Sequence, residues 1–199
     1  MTTAQHPSFS PAMTTTDATV IPFRRRRYDW FLVAALTMFA TTSFTVDLVN
    51  LLFRPDADSG FALARFVHDS YAAGADPLLA ANPRFVQAAS GISAVMFGAY
   101  YVAAIYAFIR GRDWIRLPTF LYAGMIVQST VLYLTVGLLG DEQLFRTACG
   151  SAYSGFDYTF TDVPKVVFGN VPYIVVPLLL VVRMWRPRPF GRGGRATRW

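Results

Sequence analysis

Cysteine is almost missing: Cys149 stands alone among 199 residues. No intrachain disulfide can form, and paired-thiol metal or redox motifs are excluded. Histidine is nearly as scarce, with His6 and His68 the only two imidazoles, too few for a haem or a histidine-rich metal centre. Zinc motifs, glycine-rich phosphate loops and nucleophile elbows are also missing, and no cofactor or metal is expected. Charged residues make up only 15% of the chain, against about 25% in soluble domains. Among the basic residues lysine is reduced to Lys165, the rest being arginine. That bias favours a GC-rich, often bacterial, genome.

What the chain has instead is long uncharged apolar sequence. Val86–Ile109, Leu117–Gly140 and Val166–Val182 carry no Asp, Glu, Lys or Arg, and Trp30–Phe53 is broken only by Asp47. A membrane span needs about 20 mostly apolar residues, within a range of about 17–25. A soluble helix would show a polar stripe at every turn, and these segments do not. The fold class expected is all-α: a polytopic membrane protein built as a four-transmembrane-helix bundle. Residues 1–23, rich in Thr, Ser and Pro, are expected to be disordered, residues 24–186 to form the membrane domain, and 187–199 to be a basic cytoplasmic tail. The first apolar run is too long, and too late in the chain, for a signal peptide.

The arginines orient the helices. Arg24–Arg27, the loop residues Arg110, Arg112 and Arg116, and the tail from Arg183 onward all fall on one side if the chain crosses four times. The opposite loops hold Asp56, Asp58, Asp69, Asp76, Asp141, Glu142, Asp157 and Asp162. The positive-inside rule therefore predicts that both termini are cytoplasmic. In a bacterium the membrane would be the cell membrane; in a eukaryote, the endoplasmic reticulum. The basic tail carries no nucleic-acid-binding motif, so nucleic acid is not an expected partner, and arginines flanking spans commonly meet anionic lipid headgroups.

In the first outer loop Phe61, Ala64, Val67 and Tyr71 recur at helical spacing, which predicts a short amphipathic helix lying on the outer membrane face. Asp76 before Pro77 is a helix-start signal, Asp as N-cap and Pro at the first helical position. The loop Asp141–Pro164, rich in Gly, Ser, Thr and Tyr, is placed to cover the outer mouth of the bundle. Depth follows from a rise of about 1.5 Å per residue. Counted from the outer ends of their spans, Asp47 and Asn170 lie about 9 Å down, Ser93 about 12 Å and Tyr173 about 13 Å, with Gln128 at about 15–18 Å. Ser43, Asp47 and Asn50 share one face of the first helix. An acid at the centre of a span costs about 2.5–3.5 kcal/mol. Asp47 therefore either faces a ligand cavity or makes a hydrogen bond between helices, worth about 1 kcal/mol; polarity alone leaves both open.

Longer matches then appear. "YAFIRGRDWIRLPTFLY", "ADPLLAANPRF", "VPYIVVPLLLVVRM" and "FTVDLVNLLF" occur in an order that resembles the EXPERA-domain family, over roughly residues 27–186. That family includes the sigma-2 receptor, which the chain resembles most, and the emopamil-binding protein, a sterol double-bond isomerase. The resemblance implies a pocket opening sideways into the bilayer that takes sterol-like lipids and cationic amphiphiles, and a possible homodimer. It implies that Asp47 meets a ligand amine, that Asp76 supports Asp47, and that Tyr173 lines the pocket, with Asn170 replacing a second tyrosine. The chain departs from the pattern at Ser93, where the family's second helix carries an acid, and at Met125, where its third carries a histidine.

Three functions follow. In the first, the protein binds or moves lipids without catalysis, with Asp47, Asp76, Tyr173, Asn170, Gln128 and Ser93 lining the ligand site. In the second, it is a sterol or isoprenoid double-bond isomerase with Asp47 and Asp76 as the proton-transfer pair, a case weakened by Ser93. In the third, it is a structural membrane interaction protein with no cavity.

Overall fold

The computed structural model describes residues 20–53, 55–149 and 159–191. Residues 1–19, Arg54, 150–158, the final 192–199 and the side chains of 141–149 lie outside the described residues. The expectations for the N-terminal segment, for most of the second outer loop and for the end of the basic tail fall there. Within what is described the protein is helical, and its one extended contact is an isolated antiparallel bridge between Val20 and Gly191.

Four helices among the described residues are long and apolar enough to cross a membrane: α1 (Arg27–Leu52), α4 (Arg84–Arg110), α5 (Asp113–Gly140) and α6 (Val163–Met184). The shortest has 22 residues, about 33 Å of helix, against a hydrocarbon core of about 30 Å. Between α1 and α4 lie α2, which runs through Ala62–Val67, His68–Ala72 and Ala73–Ala75, and the short α3 (Pro77–Ala81). Exposed Phe31, Leu117, Leu121, Leu178 and Val182 give the bundle an apolar exterior, as lipid requires. The chain is an integral multi-pass membrane protein.

The bundle is two helix pairs. α1 packs along α4, and α5 along α6, whereas the pairs meet each other chiefly at the end that carries both termini. There Leu36 and Phe39 of α1, Tyr101 and Phe108 of α4, Tyr122 of α5 and Leu180 and Met184 of α6 form one buried cluster. Toward the loop end the pairs part, and a second cluster (Val67, Leu78, Val86, Val136, Phe160, Val166) closes over the opening. The amphipathic α2 buries Ala64 and Val67 and roofs the bundle, while Phe66 on its other face is exposed. Gly137 lets Phe160 join this roof. A Cβ there would stand 1.9 Å from the Phe160 ring, whose backbone N–H donates to the Gly137 carbonyl at 2.8 Å. At Gly140 (φ 66, ψ 157) the backbone leaves helical geometry and ends the span.

The packed region reaches a few residues beyond 24–186 on each side. At the terminal end Asp29, fully buried, accepts hydrogen bonds from Arg26 and from Arg183, the latter through Nε at 2.7 Å and Nη2 at 3.1 Å. Arg26 also donates to the Phe108 carbonyl at 2.7 Å, and Arg183 to the Pro189 carbonyl at 2.7 Å. Both guanidinium groups lie over the buried Phe190 ring, 4.8 and 5.1 Å from its centroid. One carboxylate thus ties α1 to α6, and the aromatic ring folds Pro187–Phe190 back onto the bundle. Trp30, Trp114 and Trp185 are all exposed at this same end, as an interfacial aromatic belt would be.

Removing one member of a buried ion network costs about 3–5 kcal/mol, because the remaining charge loses its partner. Asp29→Ala is accordingly expected to destabilise the protein by that order. Thermal unfolding of the purified protein in detergent would check this; a variant as stable as the parent would remove Asp29 from its structural role.

Candidate functional site

Three helical turns in the described residues are widened, with hydrogen bonds reaching one residue further than in an α-helix: Ser43–Asp47 in α1, His68–Ala72 in α2 and Ser93–Phe97 in α4. Such turns occur often at functional sites. Each carries a polar side chain to the same place: Asp47, Tyr71 and Ser93 all line a cavity of about 730 Å³ between the two helix pairs. Asp76, Gln128, Asn170 and Tyr173 line it too. The six residues singled out in the sequence therefore surround one space. Its volume lies within the range of about 300–1,000 Å³ found for small-molecule sites, and Met38, Val46, Phe66, Leu79, Phe97 and Ile126 give it a mostly apolar wall.

The widened turns of α1 and α4 face each other. The Ser93 hydroxyl donates to Asp47 Oδ2 at 2.6 Å, while the Ser43 hydroxyl donates to the Ser93 carbonyl at 2.8 Å and lies 3.4 Å from the same carboxylate oxygen. Both serine contacts fall on Oδ2. Oδ1 has no hydrogen-bond partner among the described residues and belongs to a half-buried side chain on the cavity wall. Asp47 is thus both a polar contact between helices and a group facing the cavity, one oxygen for each.

Asp76 is built differently. It is buried, and its Oδ1 caps α3 by accepting the Leu79 N–H at 3.0 Å, with Pro77 at the first helical position as its sequence signals. Its Oδ2 accepts the Tyr133 hydroxyl at 2.7 Å. Burial raises the carboxyl above the usual carboxylate range, against the opposing effect of the Tyr133 and backbone hydrogen bonds. No hydrogen bond joins Asp76 to Asp47 among the described residues. The group that Asp76 orients is Tyr133, which is also within electrostatic reach of Asp47. The direct side-chain hydrogen bonds to Asp47 among the described residues come from the two serines.

On the far wall Tyr173 stacks on Phe39, centroids 4.4 Å apart, and sits beside Thr42. Asn170 returns its amide hydrogen to the Val166 carbonyl at 2.9 Å and stands next to Tyr71. Burial, aided by the nearby Asp76, pushes the Tyr71 hydroxyl well above the usual tyrosine range, so it remains a neutral donor. Asn50, placed on the Asp47 face by its spacing, is fully buried away from the cavity wall. Sequence reasoning placed Ser43 on the Asp47 face without giving it a role, and missed two contributors, Tyr71 and Tyr133. Tyr133 follows Ser129 by four residues and so shares its helix face; that was its only signal. Among the described residues no cluster of three or more His, Cys, Asp or Glu could hold a metal ion.

A four-span bundle with a polar-lined cavity inside the membrane is the class that fold and site define. Residues 62–184, more than half of the chain, match the family model described as EXPERA (EXPanded EBP superfamily). The chain belongs to that family. No curated protein matches it.

The raised Asp76 carboxyl sets a pH dependence. A carboxyl that resists ionisation when folded holds its proton more tightly folded than unfolded. It therefore costs nothing below the ordinary range near pH ~4, and destabilises the fold progressively as pH rises through its raised value. Asp76→Asn keeps an N-cap acceptor but cannot ionise. We expect its stability relative to the parent to improve as pH rises from ~4 and to level off once the raised Asp76 value is passed, apart from a constant offset for one altered hydrogen bond. Melting temperatures across that range would show it, and parallel curves would contradict it.

Proposed function

We propose that the protein binds hydrophobic lipids, sterol-like or terpenoid, and cationic amphiphiles within the membrane, in the manner of a sigma-2 receptor, without catalysing a reaction. The observation that carries this reading is the divided Asp47 carboxylate: Oδ2 is satisfied by Ser43 and Ser93, and Oδ1 stands on the cavity wall with no partner among the described residues. A ligand hydroxyl or amine is the natural complement to that oxygen. Tyr133 and Tyr173 offer further hydroxyls at the wall, and Gln128 an amide.

The physics of selection follows from the solvent. A ligand arriving from the bilayer leaves one hydrocarbon environment for another, so apolar contact discriminates weakly. Polar contacts that lipid tails cannot supply must fix identity and orientation. A hydrogen bond to a charged group is worth about 1.5–3 kcal/mol, which corresponds to about 10–150-fold in affinity.

Asp47→Asn should therefore weaken binding of a cationic amphiphile by at least about tenfold while the folded protein persists. Titration of a fluorescent amine into protein reconstituted in nanodiscs measures it. Unchanged affinity in the folded variant would refute the anchoring role.

One observation favours double-bond isomerisation as the second reading: two carboxyls and a bonded tyrosine line one apolar cavity. Against it, Ser93 occupies the position of the second-helix acid and donates a hydrogen bond to Asp47 in place of a second carboxyl. Incubation with candidate sterols in deuterated water separates the readings. An isomerase leaves deuterium on ring carbon in an Asp47-dependent manner, whereas a binding protein leaves none.

A further inference from the structure

The cavity is open on a side that its polar anchors do not require. The loop-side half of α4, Arg84–Ile92, makes few contacts with α5, although α4 packs closely on α1 and α5 on α6. Phe85, Ala88 and Ile92 on one rim of this gap, and Gln128 and Leu132 on the other, line the cavity and are exposed on the outside of the bundle; Ile92 is 42% and Leu132 52% exposed. A surface depression adjoins the α5 rim of the gap at Gln128 and Leu132. A shallow apolar groove of about 670 Å³ runs over α5 and α6, floored by Ala123 and Gly124, and it shares Gln128 and Leu132 with the cavity. A side chain at Gly124 would meet nothing within 4 Å, so the floor is open as well as apolar. At the junction Gln128 is exposed and has no hydrogen-bond partner among the described residues. An unpartnered amide facing hydrocarbon is unfavourable.

We propose that the bound amphiphile reaches beyond the cavity, and that its apolar tail leaves between α4 and α5. This rests on the lipid-binding reading above and adds the shape of the ligand to it. The polar head sits near Asp47 and Asp76, the tail crosses the rim at Ala88 and Leu132, and the Gln128 amide meets an ester, amide or hydroxyl where the chain emerges. The opposite gap, between α1 and α6, is rimmed by Met38 and Gly169 under the roof formed by Phe66 and Ser70 of α2.

The test uses the full chain in phosphatidylcholine nanodiscs with two probes, dimethyloctylamine and dimethyloctadecylamine, their affinities expressed per mole fraction in the membrane. In the parent a tail that exits into lipid changes little, so the two amines should bind within about threefold of each other. Ala88→Trp narrows the α4–α5 gap. It should weaken the long amine by about tenfold or more, the scale of overpacking a filled site, and leave the short amine within about threefold. Gly169→Trp, whose Cβ would stand 3.6 Å from the Tyr71 hydroxyl, narrows the opposite gap and should not discriminate between the two. A parent that rejects the long amine, an Ala88→Trp protein that accepts it, or discrimination by Gly169→Trp in its place would each overturn the proposal while short-amine binding upholds the cavity. Failure of the parent to bind even the short amine overturns both.

Discussion

Ser93 on α4 gives its hydroxyl hydrogen to Asp47 on α1 at 2.6 Å, a polar contact between two spans inside the bundle. Hydrocarbon supplies no hydrogen bonds, so every polar group inside the bundle must find one within the protein or from something bound to it. Much of the architecture follows from that constraint. The two helices that carry Asp47 and Ser93 are held together at one depth, and the second helix pair stands away from them there. The space between is lined with the polar groups of all four spans. The helix-to-helix contact and the cavity-facing position of an acid inside a span turn out to belong to different oxygens of one carboxylate.

The spans were readable because uninterrupted runs without charge have few alternatives in a 199-residue chain. The Asp76–Pro77 helix start was readable because capping is a local effect, decided within four residues. Counting residues down each helix brought Asp47, Ser93, Asn170 and Tyr173 to about 9–13 Å with Gln128 somewhat deeper, and all of them line one cavity. What stayed hidden depends on contacts distant in sequence. Asp29 looks like one more charge at a helix end, yet it is buried between Arg26 and Arg183, more than 150 residues apart. Phe190, amid prolines and arginines, gives no sign that it is a core residue. Tyr133 was one aromatic among many until Asp76 was found opposite it.

The two ends of the bundle are built from different interactions. At the terminal end an ion network, stacked tyrosines and an aromatic ring between two guanidinium groups leave no room; Tyr100 and Tyr122 lie 4.1 Å apart there. Toward the loops, small residues, widened turns and a short roofing helix leave room in plenty. This division assigns rigidity to the interface where the termini meet and accommodation to the half of the membrane that holds the cavity. The local stability of a helical bundle falls where buried apolar contacts thin out, so the parting of the pairs marks the more easily deformed part of the molecule.

A widened turn holds one residue more than the same helical path would need, and this bears on how sequences of this kind can diverge. Side chains around the cavity can be exchanged one at a time, each with a local effect. Excising a single residue from Ser43–Asp47 would restore regular pitch and leave Val49 and Asn50, now buried, on their present face, the loss being confined to the turn that carries Asp47. A deletion in the regular turns to either side would instead rotate everything beyond it by about 100°. The widened turn is thus a place inside a span where the number of residues can change without re-registering the rest of the helix.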